Sequence, residues 1–208
     1  MIQARTFPTL AVTLFLLTLG AAAQKTEAPA PDYFPLQKAY SWTYRSTVGS
    51  TEYTVKITGE EKQADGTIRY DAEKLAGAKV LIAYSKPSGS VLLLSERYPE
   101  HEGLEVKYEA GKQLLKNPLV AGAQWGWTGK DYTQTDLEED NQVTGPEEVT
   151  VPAGKFQAMK VVTRVAGSTE PLVRTSWYAD GVGMIKSTSE AGQIKYGWDL
   201  KDYSFKKK

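Results

Sequence analysis

The chain has 208 residues, with 25 lysines and arginines against 25 aspartates and glutamates, one histidine and no cysteine. These counts exclude a Cys/His zinc site, a thiol nucleophile and a disulfide-stapled scaffold, and no cofactor is expected. A charge-balanced chain also lacks the cationic surplus that nucleic-acid binding requires.

The first segment reads as an address. Arg5 precedes an apolar run from Leu10 to Leu19, and Gly20-Ala21-Ala22-Ala23 follows. A positive start, a short apolar stretch and small residues before a cleavage point make a secretory signal peptide over 1–23. The run is too short to span a bilayer, which takes roughly 20 apolar residues. The mature chain is therefore expected to be periplasmic or extracellular, with no transmembrane segment. No cysteine follows the small residues, so lipid attachment of the bacterial lipoprotein kind is not expected. Residues 24–32 carry two prolines and no large apolar group, and read as a flexible lead-in.

From there the hydrophobic period is two. Tyr40, Trp42 and Tyr44 alternate with polar residues, as do Tyr53, Val55 and Ile57, and then Ile68, Tyr70 and Ala72. Leu104, Val106 and Tyr108 repeat the pattern, as do Ile194, Tyr196, Trp198 and Leu200. Half-buried strands alternate in this way because successive side chains leave opposite faces of a sheet. Turn residues at 48–50, 64–66, 87–90, 153–154 and 180–183 punctuate the runs. The expectation is one all-β domain over 33–205, a curved antiparallel sheet of about ten strands, with 206–208 a disordered tail. Glu109–Ala123 fits neither period, and Pro118 limits any helix there. It is expected to plug one end of the sheet as a short helix or loop. Glycines 49, 126, 154, 183 and 197 suit bends or bulges, and Phe156, out of phase with Met159, Val161 and Val165, marks one of them.

Motifs for chemistry are sparse. His101 lies between Glu100 and Glu102 and could serve a general acid or a triad, but no Gly-x-Ser-x-Gly elbow exists, and Pro99 and Gly103 make it a loop histidine. The acidic run Asp136–Asn141 lacks calcium-loop spacing and reads as a solvated strand end or loop. Gly181-Val182-Gly183 lacks the third glycine and the helix of a dinucleotide fingerprint, and reads as a turn. No metal site is expected. The unusual supply is aromatic. Trp42, Tyr44, Trp125, Trp127, Trp177 and Trp198 all fall in or beside expected strands, and form either core or the lining of a concave ligand pocket.

Three signatures carry a family resemblance. Tyr33-Phe34-Pro35-Leu36 with Trp42-Thr43-Tyr44, then Val151-Pro152-Ala153-Gly154-Lys155-Phe156, then Trp177-Tyr178-Ala179-Asp180-Gly181-Val182-Gly183 resemble, in this order, motifs of an uncharacterised family of secreted bacterial proteins. Those proteins are similar to the lipoprotein-localisation-factor-like (LolA-like) half-barrel. The resemblance implies a half-barrel with a short plug and lipid or lipoprotein binding, and supplies no catalytic residue. The expected function is a non-enzymatic binding protein for an apolar or amphipathic ligand. The alternatives are an envelope domain that meets another envelope protein, with no small ligand, and a hydrolase of an envelope polymer working through two carboxylates.

Overall fold

A computed structural model describes residues 29–167 and 170–205. The expected signal peptide and most of the lead-in lie outside the described residues, as does the 206–208 tail. Twelve strands follow one another in the order β1 (Ser41–Ser46), β2 (Glu52–Lys62), β3 (Ile68–Ala76), β4 (Ala78–Ser85), β5 (Val91–Tyr98), β6 (Leu104–Leu115), β7 (Gln124–Lys130), β8 (Asp136–Val151), β9 (Gly154–Ala166), β10 (Leu172–Ala179), β11 (Gly183–Ala191) and β12 (Ile194–Tyr203). They form one antiparallel sheet in which all chain neighbours but β6 and β7 pair, and β12 returns to pair with β1. Only β6 and β7 stand at its edges. The sheet curls beyond the expected half-barrel into a nearly closed barrel. No helix lies among the described residues, and so none is long and apolar enough to cross a membrane.

Antiparallel succession puts alternate connections at opposite ends. The ends of β1, β3, β5, β7, β9 and β11 surround one mouth. The other end is closed by the segment before β1. Asp32 fixes that closure. Its carboxylate accepts from the Phe34 amide at 3.0 Å, from Asn117 Nδ2 at 2.9 Å and from the Lys86 ammonium. Its own amide donates to Asp180 Oδ1 at 2.7 Å, and its carbonyl accepts from the Gly181 amide at 2.8 Å. One residue thus joins the β4–β5, β6–β7 and β10–β11 connections, and Phe34 and Leu36 pack beneath them on the main core.

The plug expected from Glu109–Ala123 is therefore placed differently. Its first half extends β6, and residues 116–123 form a loop at the closed end. Leu115 and Leu119 are buried there because they fill the space between β5, β7 and β8. The bulge expected at Phe156 belongs to the partner strand. The register of β8 against β9 slips between Val143 and Gly145, and inward phase on β9 changes where Ala158 and Met159 are buried in succession. Gly197 serves close approach. A Cβ there would stand 2.6 Å from the Ser187 carbonyl oxygen.

Two clusters make the core. The larger gathers Trp42, Tyr44, Tyr53, Ile57, Tyr84, Ile185 and Leu200, and the smaller Val91, Leu115, Leu119, Trp125, Val143, Met159 and Val161. Fully burying each of Ile57, Leu115, Ile185 and Leu200 stabilises the fold by about 1.5–3 kcal/mol.

Candidate functional site

Alternation along β1 to β5 turns large side chains into the lumen and leaves a cavity of about 250 Å³. Phe34, Pro35 and Leu36 form its floor, and Trp42, Tyr44, Ile57, Tyr84 and Leu93 line its walls. Two of the aromatics are locked by their polar ends. Trp42 Nε1 donates to the Val182 carbonyl at 2.7 Å, and Tyr44 Oη donates to the Met184 carbonyl at 2.9 Å. Tyr44 stacks on Tyr53, with ring centroids 4.8 Å apart. Burial raises the pKa of Tyr44, Tyr53 and Tyr84 far above that of free tyrosine, so the walls stay neutral.

Two charged residues, Lys74 and Glu96, line this cavity. The Lys74 ammonium stands 4.9 Å from the centroid of the Tyr53 ring. Burial lowers its pKa, and the charge of Glu96 acts in the opposite direction. Glu96 accepts a hydrogen bond from Tyr108 Oη at 2.8 Å. Lys74 also lines a second hollow at the mouth, of about 480 Å³, bounded further by Val80, Tyr98, Leu104 and Tyr132. The Tyr98 and Tyr132 rings meet there, 5.6 Å apart. Burial, with the Glu96 charge adding to it, pushes Tyr98 up to about 12.

The opposite wall is packed and polar. Asn141, Thr163, Ser176, Ser187 and Ser189 are buried on β8 to β11. Thr163 Oγ1 donates to Asn141 Oδ1 at 2.7 Å. Glu139 takes Lys112 at 2.7 Å and Arg174 at 3.6 Å, with the Glu139 and Lys112 side chains only 7% and 12% exposed. Lys112 also stands 4.1 Å from the centroid of the Trp127 ring. This group closes the gap between β6 and β7, where Trp125 Nε1 donates to the Gln113 carbonyl at 3.1 Å. Side chains rather than a backbone ladder bridge the seam.

The six aromatic candidates divide accordingly. Trp42 and Tyr44 line the cavity. Trp125 and Trp127 do share a face, but they pack at the seam. Trp198 packs edge-on against Tyr53, with centroids 4.7 Å apart. Trp177 is not brought to the lumen. Its neighbours Ser176 and Tyr178 point inward, so Trp177 lies on the outer face between Lys160 and Lys186, and its Nε1 has no partner. His101 sits in the β5–β6 turn, with its ring 6.4 Å from that of Tyr98. The acidic run Asp136–Asn141 is the first part of β8, the strand-end alternative, but it is solvated on one face only: alternation turns Glu139 and Asn141 inward while Glu138 and Asp140 face out. Gly181-Val182-Gly183 forms the β10–β11 turn.

Lys74, Glu96, Lys112 and Glu139 were missed as luminal groups. Strand phase could have found two of them. Lys74 continues the inward series Tyr70, Ala72, and Glu139 continues Val143, Asn141 backward.

A family model described as DUF3108-like matches residues 102–192, from the β5–β6 turn to the β11–β12 turn. Two solved structures are similar in fold. One is a candidate lipoprotein from Parabacteroides distasonis ATCC 8503, with a TM-score of 0.54 and 14% identity over 85% of this chain and 100% of that one. The other is a candidate exported protein with a YmcC-like fold from Bacteroides fragilis NCTC 9343, with a TM-score of 0.52 and 14% identity over 84% of this chain and 100% of that one. No curated protein matches the sequence. At this identity the likeness concerns the fold, that of an uncharacterised group with a barrel-like architecture.

Proposed function

We propose that this chain is an exported, non-catalytic binding protein that holds a small amphipathic ligand in the lumen. The carrying observation is the cavity of about 250 Å³, floored by Phe34, Pro35 and Leu36, walled by neutral aromatics and sharing Lys74 with the mouth hollow. Apolar walls with a few placed polar groups suit a ligand that is apolar at one end. The volume lies below the roughly 300–1,000 Å³ of typical small-molecule sites, which favours one short chain over a whole lipid. The resemblance to LolA-like half-barrels supports the same reading. The signal-peptide pattern supports export, as do the fold neighbours described as a candidate lipoprotein and a candidate exported protein.

The luminal carboxylates favour holding over catalysis. Glu96 is bonded by Tyr108, and Glu139 by Lys112 and Arg174, so both of these carboxylates are already engaged.

The test is uptake of decan-1-ol by the delipidated, folded protein, followed through tryptophan fluorescence and native mass spectrometry. Saturable binding of one molecule is expected, and Ile57→Trp should abolish it by filling the cavity. A folded protein that takes up nothing would instead favour the envelope interaction domain.

A further inference from the structure

The charges inside the barrel do not match one to one. Among the described residues, Lys74, Glu96, Lys112, Glu139 and Arg174 carry charge on the luminal side. Glu139 serves two cations at once, and Glu96 is engaged by a phenol. Lys74 is left with an aromatic face. Among the described residues it makes no salt bridge, and its contact is the Tyr53 ring at 4.9 Å. The opposite charge that acts on it, Glu96, stands beyond salt-bridge distance and is engaged by Tyr108, so the desolvation of this partly buried ammonium is only partly returned. Its position also matters. Lys74 lines both the inner cavity and the mouth hollow, so it stands where the apolar interior gives way to the open end.

We infer that the polar end of the ligand is an anion, and that Lys74 is the residue that holds it. The ligand class is a single short chain ending in a carboxylate or a comparable acid, tail toward Phe34 and Leu36 and head at Lys74. This rests on the lumen being the binding site. The desolvation that lowers the Lys74 pKa is offset in the complex, since an anion beside the ammonium favours its charged form. Glu96 sets the limit of the preference. Its carboxylate lines the same cavity and repels an acidic head, while its bond from Tyr108 holds it in place. The discrimination should therefore be moderate in the native protein and should grow when Glu96 is neutralised.

Decanoate and decan-1-ol, titrated into delipidated full-length mature protein by calorimetry, separate the two levels of the reading. They share a chain and differ in the head. The native protein is expected to bind decanoate about tenfold more tightly than decanol. Lys74→Gln should remove that preference. Lys74→Arg should keep it, and Glu96→Gln should widen it several-fold. These two substitutions retain a test should Lys74→Gln fail to fold. Equal affinity for acid and alcohol in the native protein would overturn the anion inference while leaving the lumen reading intact. A preference that survives Lys74→Gln would overturn the role of Lys74. Failure of both probes to bind the folded protein would overturn the lumen reading, and this inference with it.

Discussion

The two sides of the lumen are built from the same strand alternation and reach opposite results. Toward β1 to β5 the inward positions hold rings and branched chains whose shapes leave a void. Toward β7 to β11 they hold small hydroxyls, an amide and an ion cluster that close the space. A sheet bends into a barrel with either filling. What differs is the consequence of removing an atom, since a packed wall cannot relax into an existing void and a polar wall cannot lose one partner without stranding another.

Substitutions can break this contrast, beginning with the largest effect. Leu115→Ala, at a fully buried side chain of the small cluster, should cost about 4 kcal/mol in urea denaturation. Glu139→Ala should cost about 3 kcal/mol, because it leaves Lys112 nearly buried and unpaired. Glu139→Leu combined with Lys112→Met should recover most of that loss, and a double substitution as destabilised as the single one would refute the ion-cluster account. Ile57→Ala, which opens onto the existing cavity, should cost only about 2 kcal/mol and should enlarge the range of chains accepted.

Smaller effects sharpen the contrast between the closed end and the mouth. Burial alone would raise the Asp32 pKa, but the bonds from Lys86, the Phe34 amide and Asn117 hold it below the usual aspartate value. The folded state therefore binds this proton less readily than the unfolded chain. Its stabilisation is present above the unfolded pKa of about 3.9 and fades as the pH falls through the lower folded value. Asp32→Asn should cost about 1 kcal/mol at pH 7, given a side chain that is partly exposed, and should flatten the acid limb of the stability profile. Trp177→Phe should change decanol uptake least of all, since its ring faces outward. A loss of uptake in that variant would contradict the assigned strand phase.

Much of the fold was legible because period two is a direct image of the pleat. The runs at Tyr40–Tyr44, Tyr53–Ile57, Ile68–Ala72 and Ile194–Leu200 all became strands in the phase their apolar residues indicated. Strand β8 was less legible. Its inward positions carry Glu139 and Asn141, and polar residues in the core weaken the alternation that identifies a strand. Glu109–Ala123 was obscured for a related reason. Positive φ at Ala110 and Gly111 and register slips between β5 and β6 interrupt its phase. Two of the six proposed aromatics, Trp42 and Tyr44, line the cavity. Trp177 could have been set aside, because the inward neighbours Ser176 and Tyr178 fix its face, but a serine gives little sign of burial. Lys74 was hidden by its own chemistry. A charged residue at the end of an apolar series reads as the point where a strand reaches solvent, and here it is where the lumen reaches its mouth.

The attachment of Asp32 has a geometric consequence. It fixes the start of the described chain to the closed end, across from the ring formed by the β1–β2, β5–β6 and β7–β8 turns. The described chain therefore begins on the side of the barrel away from its mouth.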